Sequence, residues 1–163
     1  MPKLEDIVIR NAHVIFMKLS NTPDRFGDTT RKFDVVLDDK DFAEQLTNLG
    51  WPVKIKSPKN PDYEPYSYIR CKMKFHDDAP TVRYDPNVVV IDGRRKTKMT
   101  AQTVGLLDNE RIDKIDLVLT PYQWENSNGS GVSVYVKSMY VTLNSDPLAA
   151  EYDFGDESDV PFD

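Results

Sequence analysis

The stretch Tyr66-Ser67-Tyr68-Ile69-Arg70-Cys71-Lys72-Met73-Lys74-Phe75 decides how the rest of this 163-residue chain is read. Successive side chains of a β-strand point to opposite faces. As a strand, the stretch sends Ile69, Cys71, Met73 and Phe75 to one side, and Tyr66, Tyr68, Arg70, Lys72 and Lys74 to the other. The first side needs a core to pack on. The second carries two aromatic rings and three positive charges in a row, the composition of a surface on which unpaired bases stack beside a phosphate track. A solvated sheet face can show the same alternation, so what surrounds the strand has to separate the two readings.

Upstream, prolines at 58, 61 and 65 make residues 57–65 a loop, and Val53-Lys54-Ile55-Lys56 alternates as a short strand with its lysines outward. Before Trp51-Pro52 lies one good helix. Asp38 or Asp39 caps its first N–H groups, Phe42, Leu46 and Leu49 recur at helical spacing, and Gly50 ends it. Arg31 to Leu37 alternates as a strand, with Phe33, Val35 and Leu37 on one side and Lys32 and Asp34 on the other. Ile7 to Lys18, rich in Val and Ile, reads as a single strand and as its hairpin partner. The loop between them, 21–28, presents Arg25 and Phe26 as accessible contacts.

Downstream, residues 79–86 form a loop with Arg83 and Tyr84, and Val88-Val89-Val90-Ile91 is a run expected to be buried. Asp92-Gly93 is a hairpin signal leading into Arg94-Arg95-Lys96-Thr97-Lys98, too densely charged for a buried strand. Two readings of that run stand side by side: an edge that resists aggregation, or a phosphate contact. Ile112 to Trp124 and Val132 to Leu143 read as long strands joined by a flexible connection, Asn126 to Gly131. Ile115, Leu117, Leu119, Val132, Val134 and Val136 face inward; Tyr122, Trp124, Tyr135 and Lys137 face outward, where the rings either stack bases or pack on a neighbouring loop. With no internal repeat, the expected fold is all-β with one helix, a small barrel.

The net charge is −6, from 27 acids and 21 bases, but seven acids and no Lys or Arg lie from Asp146 onward. Residues 1–145 therefore keep 20 acids against 21 bases and carry +1, and Gly50 to Thr100 alone holds eleven bases against six acids. A basic middle and an acidic end divide the chain into a folded domain, 1–145, and a tail, 146–163, expected to be disordered for want of apolar residues.

Few groups suited to catalysis are present. No phosphate-binding Gly-Lys loop, nucleophile elbow or His-Glu-x-x-His pair occurs, and Cys71, the single cysteine, makes a poor zinc set with His13 and His76. No metal and no cofactor are expected. No apolar run is long enough to span a membrane, and the N-terminus lacks a signal-peptide core, so the expected location is the cytoplasm.

The tail ends in Asp156-Glu157-Ser158-Asp159-Val160-Pro161-Phe162-Asp163. A solubilising tail gains nothing from an exposed aromatic, whereas a docking peptide needs an anchor among its charges. This tail resembles the acidic tip of bacterial single-stranded DNA-binding proteins, which recruits replication and repair enzymes, except that Asp163 follows Phe162 where the bacterial tip ends on Phe. The body resembles the phage-encoded single-stranded DNA-binding proteins, in Asn11 to Phe16, Leu46 to Lys54 and Val132 to Thr142, with similarity running over most of residues 7–143. The resemblance implies an OB-fold, a five-stranded, partly open barrel, here with extra hairpins and the acidic tail.

The expected function is single-stranded DNA binding without catalysis, coating strands exposed in phage replication or recombination. Tyr66 and Tyr68 are the candidate stacking rings, with Tyr122, Trp124 and Tyr135 beside them. Arg70, Lys72 and Lys74 are the leading phosphate contacts, with Lys32, Arg94, Arg95, Lys96 and Lys137 behind. Asp156, Glu157, Asp159, Val160, Pro161 and Phe162 are the candidate contacts to replication or recombination proteins. Two rival readings are a phage structural or adaptor barrel and a Mg²⁺-dependent nuclease using Asp77, Asp78 and Asp92. A monomer and a homodimer fit the sequence equally.

Overall fold

The computed structural model describes residues 3–75 and 85–143. Its strands are β1 (Ile7–Ile9), β2 (His13–Lys18), β3 (Arg31–Leu37), β4 (Lys54–Lys56), β5 (Tyr66–Met73), β6 (Asn87–Asp92), β7 (Arg95–Lys98), β8 (Ile112–Asn126) and β9 (Gly129–Leu143). One α-helix, α1 (Lys40–Leu49), and a 3₁₀ segment, Val104–Asn109, complete the described residues.

Hydrogen bonding runs in the order β1-β8-β9-β5-β3-β2. The expected single strand from Ile7 to Lys18 is in fact two. Asn11 takes φ 49°, a left-handed conformation that Asn tolerates better than most residues. Its N–H donates to the Asp116 carboxylate at 2.8 Å, and the Ala12 N–H donates to the Ile115 carbonyl at 2.7 Å. The kink lets β1 pair with β8 while β2 pairs with β3, so one segment joins both ends of the sheet and closes it into a barrel. Counted this way, the barrel has five members: the kinked segment, β3, β5, β8 and β9. Its weakest seam is the parallel contact of β5 with β9, only Cys71 with Val134 and Lys72 with Tyr135. This is the OB-type barrel the resemblance implies, with β4 added beside β5 and the β6–β7 hairpin added beside β9.

Alternation fills the interior as expected. Phe33, Val35, Ile69, Cys71, Met73, Phe75, Leu117, Leu119, Val134 and Met139 are buried together. The Asp39 carboxylate caps α1, accepting from the N–H groups of Asp41 and Phe42, and Gly50 ends it at φ 106°, where a side chain would be strained. Of the expected apolar face, Leu46 is buried but Leu49 is exposed; Ala43 takes the inward position instead. The Val88–Ile91 run is not wholly buried: Val88 and Val90 point in, while Val89 and Ile91 are half-covered on the outer side. The connection between β8 and β9 is also shorter than expected, since pairing continues to Asn126 with Gly129 and leaves a two-residue turn. Trp124 lies across from Gly131, where a Cβ would fall 2.6 Å from its ring; the glycine admits the indole and the ladder can continue.

Candidate nucleic-acid interface

Residues directly paired across strands share a face. The register of β3, β4, β5 and β9 therefore writes out the surface: Val36–Tyr68–Lys54, Asp34–Arg70, and Lys32–Lys72–Tyr135, with Lys56 beside Tyr66. The outward set read from β5 is the one observed, since Ile69, Cys71 and Met73 are buried and the residues between them are not. The Tyr66 and Tyr68 rings stand 5.9 Å apart, tilted by 50°. At the other end of β5, Lys74 Nζ lies 5.8 Å from the centre of the Tyr135 ring, and Tyr122 meets Tyr135 edge-on at 6.5 Å. Two aromatic groups are thus joined by a row of cations.

Those cations differ in availability. Arg70 donates from Nε at 3.0 Å and from Nη2 at 3.4 Å to the two carboxylate oxygens of Asp34. Asp34 points away from the core, yet it is only 4% exposed. The hydrogen bond to it raises the Arg70 pKa above its ordinary value. Lys32 is paired with Asp28 at 2.8 Å, and Lys137 with Asp6 at 2.8 Å. Of the residues read as phosphate contacts, these three are already opposite carboxylates. Among the described residues Lys54, Lys56, Lys72 and Lys74 have no carboxylate partner, so they carry uncompensated charge on the face.

The loop 19–30, between the first and second barrel members, borders this face. Asp108 anchors its start by accepting from the Leu19 and Ser20 N–H groups at 2.6 and 3.1 Å. Buried Arg31 anchors its end, donating to the carbonyls of Leu19 and Ala101. In between, the Arg25 guanidinium sits 4.8 Å from the centre of the exposed Phe26 ring. The second bordering element is the β8–β9 hairpin, with Tyr122, Trp124 and Tyr135 on one side. Trp124 packs on Gly131 of the paired strand β9, not on a neighbouring loop, and keeps 36% of its surface.

Other candidates lie elsewhere. Arg94 is in the β6–β7 turn, and Arg95 and Lys96 are on β7, which among the described residues pairs only with β6. Lys96 reaches β9 through Ile91 and Thr142, roughly 23 Å along the strand from Tyr135 at about 3.3 Å per residue. The charged edge is real, but it is not next to the β5 row. Asp77, Asp78 and the tail residues Asp156 to Phe162 lie outside the described residues. Among the described residues no group of three acids, histidines or cysteines is arranged to hold a metal. Burial raises the Cys71 thiol pKa well above its ordinary value, leaving it an inert core residue. Sequence reading did not single out Phe16 of β2, or Lys54 and Lys56 of β4, as candidates; for Phe16 the sequence carries no signal beyond the mixed alternation of residues 7–18.

An OB-type barrel with rings and lysines on the face of its second and third members, bordered by the 1–2 loop and the 4–5 hairpin, is the class of protein that handles single-stranded nucleic acid. Residues 1–162 match the family described as "Putative phage ssDNA-binding domain", and the chain belongs to that family. A comparison with curated proteins gives no match. Among solved structures, the fold is similar to the single-stranded DNA-binding protein of bacteriophage Enc34. The C-terminally truncated form gives a TM-score of 0.53 at 12% identity, with 87% of each chain covered. The form in complex with ssDNA gives 0.51 at 12% identity, covering 87% of this chain and 88% of that one. At this identity the likeness is one of fold. No helix among the described residues is long and apolar enough to cross a membrane.

Proposed function

We propose that this protein binds single-stranded DNA along the outer face of β3 and β5 and coats strands exposed during phage replication or recombination in the host cytoplasm. The observation that carries this reading is the unbroken outward row from Tyr66 to Lys74, continued by Tyr135 and Tyr122, in a chain of a phage ssDNA-binding family. Tyr66 and Tyr68 stack bases; Lys72, Lys74 and Lys54 take phosphates. Arg70, held by Asp34, offers its remaining N–H groups from a fixed position, while Lys32 and Lys137 reach phosphate only by leaving Asp28 and Asp6. Single-stranded DNA-binding families are non-enzymatic, and this chain is read the same way. The acidic residues from Asp146 onward compete with DNA for the basic face and recruit replication or recombination proteins through Val160-Pro161-Phe162.

Titration of a fluorescent oligo-dT with the full chain tests the proposal. Binding is expected at low salt, with log K falling linearly against log salt by about 0.7 per neutralised phosphate, and with the oligonucleotide left uncut in Mg²⁺. No binding to oligo-dT at low salt would end the proposal.

A further inference from the structure

Phe16 sits in β2, between Ile15 paired with Asp34 and Lys18 paired with Lys32. Phe16 and Met17 thus stand opposite Phe33 alone, the two-against-one count of a β-bulge. Without the bulge, Phe16 would face Phe33 and share its inward side. Instead its φ is 54°, a left-handed conformation that is a genuine outlier for a bulky aromatic. Met17 packs against the core in its place, and Phe16 is left 67% exposed. The arrangement spends backbone strain to place an apolar ring in water, which folding alone does not favour.

The ring is directed over the DNA face. Lys56 Nζ lies 5.2 Å from its centre, although Lys56 is on β4 and β3 and β5 lie between β4 and β2. The two side chains therefore meet across the outer surface that carries Tyr66 and Tyr68. The bulge turns the ring onto that surface, and the Lys56 ammonium rests over its aromatic face.

Resting on the proposed DNA-binding function, we infer that Phe16 is a base-stacking residue and that Phe16 and Lys56 form a clamp over the β3–β5 floor. A bound base takes the place of the ammonium on the Phe16 ring, and Lys56 moves to the adjoining phosphate. Nothing covalent changes.

The test uses Phe16→Ala, Phe16→Gly and Phe16→Trp in the full chain, with oligo-dT. Glycine is at ease at positive φ, so Phe16→Gly should melt no lower than the parent while binding about 5- to 150-fold more weakly, the range for removing one stacked base. Phe16→Ala should weaken binding similarly. Phe16→Trp should bind like the parent, its emission quenched by the oligonucleotide. Wild-type binding left unaltered in both Phe16→Gly and Phe16→Ala overturns the clamp alone. Absence of binding by the wild-type chain overturns the functional reading and the clamp with it.

Discussion

At the scale of single residues, the ion pairs decide which cations matter. Arg70 and Lys72 are neighbours on one face of β5, but Asp34 holds the first and no carboxylate among the described residues holds the second. Arg70→Ala leaves the buried Asp34 carboxylate without its partner, and should cost about 1–3 kcal/mol of unfolding free energy. Lys72→Ala should stay within about 0.5 kcal/mol of the parent, yet reduce the salt slope of DNA binding by about 0.7. Urea denaturation and oligo-dT titrations at several salt concentrations separate the two. Equal stability loss in both variants would contradict the assignment. Alternation along β5 alone made these two residues look equivalent.

At the scale of elements, the loop 19–30 is shaped by its own carboxylates. Asp24 accepts from the Asp28 and Phe26 N–H groups, and Asp28 accepts from the Lys32 ammonium and the Thr30 N–H. These hydrogen bonds hold both carboxyl groups below the ordinary carboxylate range. A folded-state pKa below the unfolded value near 3.9 gives stabilisation that is complete above it and lost as pH falls through the lower folded value. The amide resonances of Phe26 and Thr30 should therefore stay fixed from about pH 7 to 5 and move only below about pH 4. Movement between pH 5 and 6 would rule out this account. In the β8–β9 hairpin, Gly131→Ala puts a methyl group against the Trp124 ring. It should drive the indole into solvent, with red-shifted emission over the constant signal of buried Trp51. Unchanged emission would show that the ladder yields instead.

At the scale of the whole molecule, the chain carries −6, but residues 1–145 carry +1. Removal of everything after Asn144 should tighten oligo-dT binding and steepen its salt dependence, because an internal anionic competitor is gone. Affinity unchanged or lowered on truncation would leave the tail only recruitment or solubility. Within this net-acidic chain the lysines of β4 and β5 lie on one face of the barrel, the face proposed to take up DNA.

The period-two pattern of β5, the Asp39 cap and Gly50 stop of α1, the hairpin signalled by Asp92-Gly93, though its turn falls one residue later on Gly93-Arg94, and the separation of charge along the chain were legible in the sequence, because each is a property of neighbouring residues. The tertiary structure alone decided the rest. Arg70 meets Asp34 across 36 positions and Lys137 meets Asp6 across 131, and such pairings depend on which strands lie side by side and in what register. The kink at Asn11 exists because one segment must reach both β8 and β3 to close a barrel. The bulge that turns Phe16 outward is likewise a matter of register, two residues against one, which no local preference specifies. Composition along β5 set which side chains face outward together; strand pairing set which of their charges are already held by carboxylates.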